Sequence, residues 1–289
     1  MDEKKMKLHM LQKLACPECK GDLVFDLDKK CSCMNCKSEF PVKNSVINFL
    51  QSSDETSVTN DVNGQSRTIK FLRKVFNIVR VSSTFKTKKN KNRIPDLVNS
   101  MASDDFLVNI GAGNTDYSPE LINFDIEKTS NVDVLADGRK LPLKSGSVSL
   151  VISQAVLEHA PDTNANIAEI ERIMKPGGLL YLEVPFMQTY HAHPHDYYRF
   201  THQGLRSFLP DFDILEEGIS VGPASATALN LRLFLALLFS FNNKKLFLVF
   251  SLLFAWLTLP IKYLDYFMEN NSMAYISSSG IYVLARKKN

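Results

Sequence analysis

Between residues 106 and 185 the chain alternates short, continuous apolar runs with polar or glycine-rich breaks. The runs cover 106–110, 121–124, 148–152 and 179–184. Runs of this length without internal alternation read as parallel strands buried on both faces. Each carries a polar signal at its end. The first ends in Gly111-Ala112-Gly113-Asn114, the second in Asp125-Ile126, the third in Ser153-Gln154 and the fourth in Pro185. Ligands of open α/β sheets sit at the carboxyl ends of the strands, so these glycines and acids predict a cofactor site there. Two more runs, 212–218 and 280–285, read as a closing pair of strands. Between them, 231–241 and 246–261 are almost wholly apolar, and the second carries no charge. A spanning helix needs about 20 apolar residues. The expectation is therefore a helical insert over 224–270 that dips into one leaflet, with Lys244, Lys245 and Lys262 near the headgroups. A homodimer interface or internal core is the alternative.

The polar signals form a recognisable series. Asn109-Ile110-Gly111-Ala112-Gly113 is a glycine loop where the backbone can approach a ligand closely. Asn123-Phe124-Asp125-Ile126 places a carboxylate where it can accept ribose hydroxyls. Ala136-Asp137-Gly138, Val156-Leu157-Glu158-His159-Ala160-Pro161-Asp162 and Arg172-Ile173-Met174-Lys175-Pro176-Gly177-Gly178 follow in order. This series resembles class I S-adenosylmethionine-dependent methyltransferases of the type 11 group. The resemblance implies a seven-stranded, Rossmann-like α/β sheet with S-adenosylmethionine as cofactor. It implies cofactor contacts from Asn109, Gly111, Gly113, Asp125, Ile126, Asp137, Gly138 and Gln154, with Asp137 meeting the adenine amino group. Two positions depart from the family: Asn109 stands where an acid is usual, and Thr115 replaces a third glycine. Only residues 111–120 separate the first two strands, and Pro119 lies near the end of that crossover. A parallel crossover normally needs a dozen or more residues, so the helix that usually fills it is not expected.

Hydrophobic content of 45% with 22% charged residues is that of a globular protein rather than a disordered chain. The net charge of +3 hides a basic stretch. Residues 62–95 hold ten cations, from Arg67 to Arg93, and no acid. Within it Ile69, Leu72, Val75, Phe76 and Val79 recur at helical spacing, and Lys86 to Arg93 form a basic tail. Residues 51–100 therefore read as a polar linker plus a basic amphipathic helix, packed on the rest or attracted to anionic lipid or nucleic acid. The polar, charged N-terminus gives no secretory signal, which favours the cytoplasm.

All five cysteines fall within residues 16–36. Cys16-Pro17-Glu18-Cys19 and Cys33-Met34-Asn35-Cys36 are two C-x2-C knuckles, and four thiolates fill a tetrahedral zinc shell. Cys31 competes with Cys33 for the third position. With Phe40-Pro41-Val42 and Val46-Ile47-Asn48-Phe49, residues 8–50 resemble the Trm112-like zinc ribbons, which implies a structural zinc and a packing or docking role rather than catalysis.

After the fourth strand, Tyr190-His191-Ala192-His193-Pro194-His195-Asp196-Tyr197-Tyr198-Arg199-Phe200-Thr201 lies at the edge where a methyl acceptor must sit. It resembles a block of bacterial methyltransferases associated with polysaccharide synthesis. His191 or His195 can serve as general base, and Asp196 can orient that histidine or pair with Arg199. The alternation of His191, His193 and His195 also offers a metal site, which Pro194 disturbs. Residues 101–289 thus read as a methyltransferase domain on the inner face of a membrane, acting on a sugar hydroxyl of a glycan or lipid-linked saccharide. The rivals are an RNA methyltransferase that grips phosphates through ribbon and basic linker, and a non-catalytic membrane scaffold.

Overall fold

A computed structural model describes residues 7–26, 29–50, 84–192 and 195–289. The expected linker over 51–66 and the amphipathic pattern from Ile69 to Val79 lie outside the described residues. The N-terminal part holds β1 (Leu23–Asp26), β2 (Lys30–Cys33), β3 (Glu39–Lys43) and β4 (Val46–Asn48). Helix α1 (Lys88–Asn99) leads into β5 (Leu107–Ile110), β6 (Leu121–Asp125), β7 (Val134–Leu135) and β8 (Val148–Gln154). Helix α2 (Thr163–Ile173), β9 (Met174–Pro185), α3 (His202–Ser207) and β10 (Phe212–Val221) follow. Then come α4 (Pro223–Ser240), α5 (Lys244–Lys262), α6 (Asp265–Met268) and β11 (Gly280–Lys287).

These strands form one sheet in the order β1-β2-β3-β4-β7-β6-β5-β8-β9-β11-β10. Strands β5 to β11 number the seven that the resemblance implies, and β7 among them is not one of the apolar runs read from the sequence. The sheet has eleven because the ribbon joins it. Strand β4 runs parallel to β7, with Ile47 opposite Val134 and Asn48 opposite Leu135. A two-residue strand leaves an open edge, and the ribbon covers it. The ribbon also shares the main core: Met10, Leu14, Cys16, Ile47 and Phe49 are buried together with Val134, Leu141 and Leu143. It is therefore a continuation of the catalytic sheet rather than a satellite.

Between β5 and β6 the crossover holds turns and no helix, as its length requires. One face of the sheet, including Leu107, Leu121, Leu150 and Ile152, is covered by Ile94 and Val98 of α1. The segment expected as a basic tail is the start of that helix. Thr87 caps it by accepting from the Asn90 N–H at 3.4 Å. Ile167, Ile170 and Ile173 of α2 cover the other face. The Lys175-Pro176-Gly177-Gly178 turn lies inside β9, and Gly177 takes a left-handed φ of +74° beside a register shift opposite Val148 and Leu150.

Helices α4 and α5 form the insert between the last two strands. Phe241 and Asn242, both at positive φ, make the turn, and Asn243 caps α5. Asp265 caps α4 through the Ala224 and Ser225 N–H groups at 2.8 and 2.9 Å. Arg232 ties the helices together by donating to the Ser251 carbonyl at 2.8 Å. The internal-core alternative is overturned, because only 33% and 22% of the two apolar windows is buried. Lys262 is itself buried, over the Tyr263 ring, so it is not a headgroup contact.

Candidate active site

At the ends of β5 and β6 the glycine loop closes on Asp125. The Gly113 N–H donates to Asp125 Oδ2 at 2.7 Å, and the Glu127 N–H donates to Oδ1 at 2.8 Å. These bonds aim the carboxylate into the loop mouth. Gly111 has φ +69°, and a Cβ there would stand 2.1 Å from Val156 Cγ2, so only glycine fits. Ile126 is partly exposed beside Asp125. Asn109 is placed differently from the other predicted contacts. It is buried, and its Nδ2 donates to Asn123 Oδ1 across the β5–β6 pair at 3.0 Å. The usual acid is thus replaced by a neutral cross-strand link.

Asp137 follows β7 and is gripped by Arg139, whose Nε lies 3.0 Å from each carboxylate oxygen. Burial alone would raise its pKa, but the Arg139 guanidinium and N–H outweigh that and hold it below the usual carboxylate range. Gly138 packs against Asn166, where a Cβ would meet Oδ1 at 2.3 Å. Gln154 ends β8 and accepts a hydrogen bond from the Tyr117 hydroxyl. Nearby, Glu183 pairs with Lys86 at 2.7 Å. Tyr117 was not singled out in the sequence, and Lys86 only as part of the basic tail, since the chain brings them there only through the fold.

The loop after β9 folds back over the turn Leu157–His159. Both the Tyr197 and Tyr198 N–H groups donate to the Glu158 carbonyl, at 2.7 and 3.3 Å. Asp196 accepts from Arg199 at 2.5 and 2.6 Å and from the His191 N–H at 2.7 Å. Arg199 therefore holds its pKa far below the usual range. Asp196 braces the loop, and its Oδ2 stays 3.7 Å from His191 Nδ1. His195 is exposed and contributes its carbonyl, 2.6 Å from His159 Nδ1. His193 and Pro194 lie outside the described residues. Among the described residues, the His195 ring does not join His191 in a metal-ligating group. Instead His191 meets Glu158 and His159, with Nε2 3.6 Å from Glu158 Oε1. The Glu158 carboxylate raises the His191 pKa. The signal for this group was the Glu158-His159 pair, quoted above only as part of a motif.

In the ribbon, Cys16, Cys19, Cys33 and Cys36 bring their sulfurs within 4.8 Å of one another. The Cys16–Cys36 and Cys19–Cys33 spacings are 3.6 and 3.5 Å. Four sulfurs about 2.3 Å from one zinc would stand about 3.8 Å apart, so the set fits that ion. Lys20 and Lys37, each directly after a knuckle, share a positive φ. Cys31 lies outside the set, in the core, where burial pushes its thiol up to about 12. A cavity of about 560 Å³ lies elsewhere, between α1, β10 and residues 269–275, and includes none of the predicted site residues.

Residues 111–182 match the family model described as a methyltransferase domain. No curated protein matches the chain. Among solved structures, phosphoethanolamine N-methyltransferase 2 of Haemonchus contortus, in complex with S-adenosyl-L-methionine, is similar at 15% identity and a TM-score of 0.49. That alignment covers 87% of this chain and 62% of that one. A candidate sarcosine dimethylglycine methyltransferase from Galdieria sulphuraria is similar at 12% identity and 0.48, over 76% and 98% of the two chains. A complex of the Haloferax volcanii Trm112 methyltransferase activator with a candidate methyltransferase is similar at 14% identity and 0.42, over 83% and 100%. The domain match spans Gly111, Gly113, Asp125, Asp137 and the Glu158-His159 pair. It supports an S-adenosylmethionine-dependent methyltransferase, with the methyltransferase domain matched over residues 111–182.

Proposed function

We propose that this enzyme moves the methyl group of S-adenosylmethionine to a sugar hydroxyl of a glycan or lipid-linked saccharide, at the cytoplasmic face of a membrane. The observation that carries the reading is the apolar hairpin and its link to the acceptor loop. Phe234, Leu237, Leu253 and Leu257 are each more than half exposed. Such a surface marks an interaction site. Asn230 Nδ2, on the same α4, donates to the Met187 carbonyl of the acceptor loop at 3.2 Å. A hairpin seated in a leaflet would therefore hold that loop near membrane-bound saccharides.

In this reading Asp125 accepts the ribose hydroxyls, Asp137 with Gly138 faces the adenine, and Gly111, Gly113 and Ile126 line the cradle with Gln154. Asn109 supports the loop from inside the sheet. S-adenosylmethionine supplies an electrophilic methyl on a sulfonium, and displacement by oxygen disperses that charge, so orientation carries most of the catalysis. The acceptor hydroxyl is held beside the group formed by Glu158, His159 and His191, where its proton is lost, and Asp196 is a positioning residue. Cys16, Cys19, Cys33 and Cys36 hold a structural zinc.

The test is flotation with anionic vesicles in high salt, followed by methyl transfer to a lipid-linked saccharide with mass-spectrometric detection of a methoxy sugar. Vesicle retention that survives salt, together with sugar methylation, is expected. Salt-labile binding with label entering RNA would replace this reading with the nucleic-acid one. An absence of transfer to any acceptor, with the fold intact, would leave a scaffold.

A further inference from the structure

Two loops bring three metal-ligating side chains together on the acceptor side. Glu158 and His159 come from the turn after β8, and His191 comes from the loop after β9. One ligand atom from each lies within 4.8 Å of the others. Glu158 is fully buried, and among the described residues neither carboxylate oxygen has a hydrogen-bond partner. Buried polar groups are almost always satisfied, and an unpartnered buried charge is costly. The nearest groups are His191 Nε2 at 3.6 Å and His159 Nε2 at 3.8 Å, both beyond hydrogen-bond reach.

Both rings are held from behind. His159 Nδ1 lies 2.6 Å from the His195 carbonyl, and His191 Nδ1 lies 2.9 Å from the Thr189 carbonyl. Carbonyls only accept, so each Nδ1 is assigned the hydrogen and each Nε2 keeps its lone pair. Arg199 Nη2 also stands 3.2 Å from His191 Nδ1, but it donates to Asp196 and to the Thr189 carbonyl at 2.6 and 2.9 Å. The rings cross at 88°, which lets both Nε2 atoms converge beside Glu158. An imidazole whose far nitrogen donates to a carbonyl is the arrangement that orients metal ligands. Two ligands about 2.1 Å from one ion stand about 3.0 to 3.5 Å apart, so the Glu158–histidine gaps need to close by only a few tenths of an ångström.

We infer that Glu158, His159 and His191 form a binding site for a divalent first-row transition ion. Two imidazoles and one carboxylate suit manganese, iron, cobalt or zinc better than calcium or magnesium, and three protein ligands leave positions open. The site's use rests on the reading of a hydroxyl acceptor given above. The acceptor oxygen fills an open position, its O–H bond breaks and the proton passes to water. That oxygen then forms the bond to the methyl carbon, while the carbon–sulfur bond breaks and its electron pair stays on sulfur. The sulfonium becomes a neutral thioether.

The zinc-loaded full-length protein is titrated with Mn2+, with free ion read by electron paramagnetic resonance and total metal by mass spectrometry. The expected result is one Mn2+ per chain in addition to the ribbon zinc. Glu158→Gln and His191→Gln are each expected to weaken Mn2+ at least tenfold while zinc and S-adenosylhomocysteine binding remain. No Mn2+ uptake by the wild type, or uptake unchanged in the variants, overturns the site. Should Glu158→Gln fail to fold, His191→Gln on its half-buried loop decides the outcome. Mn2+ uptake without sugar methylation would remove the acceptor reading and leave the metal site standing.

Discussion

The ribbon buries Met10, Leu14, Ile47 and Phe49 against the sheet, whereas the hairpin leaves Phe234, Leu237, Leu253 and Leu257 more than half exposed. Both are additions to the same seven strands, one extending the β7 edge and the other inserted before β11. The ribbon joins by backbone pairing and a common core, so its stability and that of the catalytic sheet are coupled. The hairpin packs on itself, through Arg232 and Ser251, and is fastened at its base by Asp265. Its outward face adds nothing to the fold. Apolar surface that is not used for folding is available for a partner, and in that the hairpin differs from the ribbon.

The comparison breaks most visibly at the ribbon cysteines. Cys33→Ser is expected to lose zinc and destabilise the whole protein by more than about 4 kcal/mol, seen as one transition in thermal unfolding. Cys31→Ala, in the neighbouring core position, is expected to keep zinc and cost about 1 kcal/mol. A loss of zinc in Cys31→Ala would reassign the third ligand. On the other side, replacing Phe234, Leu237, Leu253 and Leu257 together by Gln should abolish vesicle retention, at least a hundredfold, because each buried apolar chain contributes about 1.5 kcal/mol or more. The melting temperature should hardly move. A collapse of stability would show that the hairpin face is core after all.

A smaller effect sharpens the coupling. Ile47→Ala sits at the β4–β7 junction, fully buried, and is expected to cost about 3 kcal/mol without splitting the unfolding transition. Two separate transitions would make the ribbon an independent unit. The smallest effect concerns the brace of the acceptor loop. Arg199 lowers the Asp196 pKa, so its contribution is complete above the free carboxyl value of about 3.9 and is lost as pH falls through the lower folded value. Asp196→Asn should therefore be less stable than wild type at neutral pH, by about 1 to 2 kcal/mol, and the gap should close in acid. Urea unfolding at several pH values measures this, and a pH-independent gap would contradict it.

Much of this was legible in the chain. Strands β5, β6, β8 and β9 are continuous apolar runs, and the cysteine spacing picked out the four sulfurs that gather, with Cys31 in the core. Strand β7 was missed because two residues carry no periodicity, and with it went the ribbon's attachment, a pairing between segments some ninety residues apart. Helix α1 was hidden by its cations, since Ile94 and Val98 are its only buried apolar contacts and Pro95 lies between them. Asn109 was legible as a departure but not as a cross-strand partner of Asn123. The meeting of Glu158 and His159 with His191 depends on how one loop folds over another turn, which local pattern does not encode.

The central claim is that S-adenosylmethionine sits at the ends of β5, β6 and β7 with Asp125 on its ribose. Calorimetric titration with S-adenosylhomocysteine, for the wild type beside Asp125→Ala, tests it most directly. Binding by the wild type that weakens about a hundredfold in the variant is the predicted result, since two charge-assisted hydrogen bonds would be lost. No binding by a folded, zinc-loaded wild type, or equal affinity in both proteins, would contradict the account.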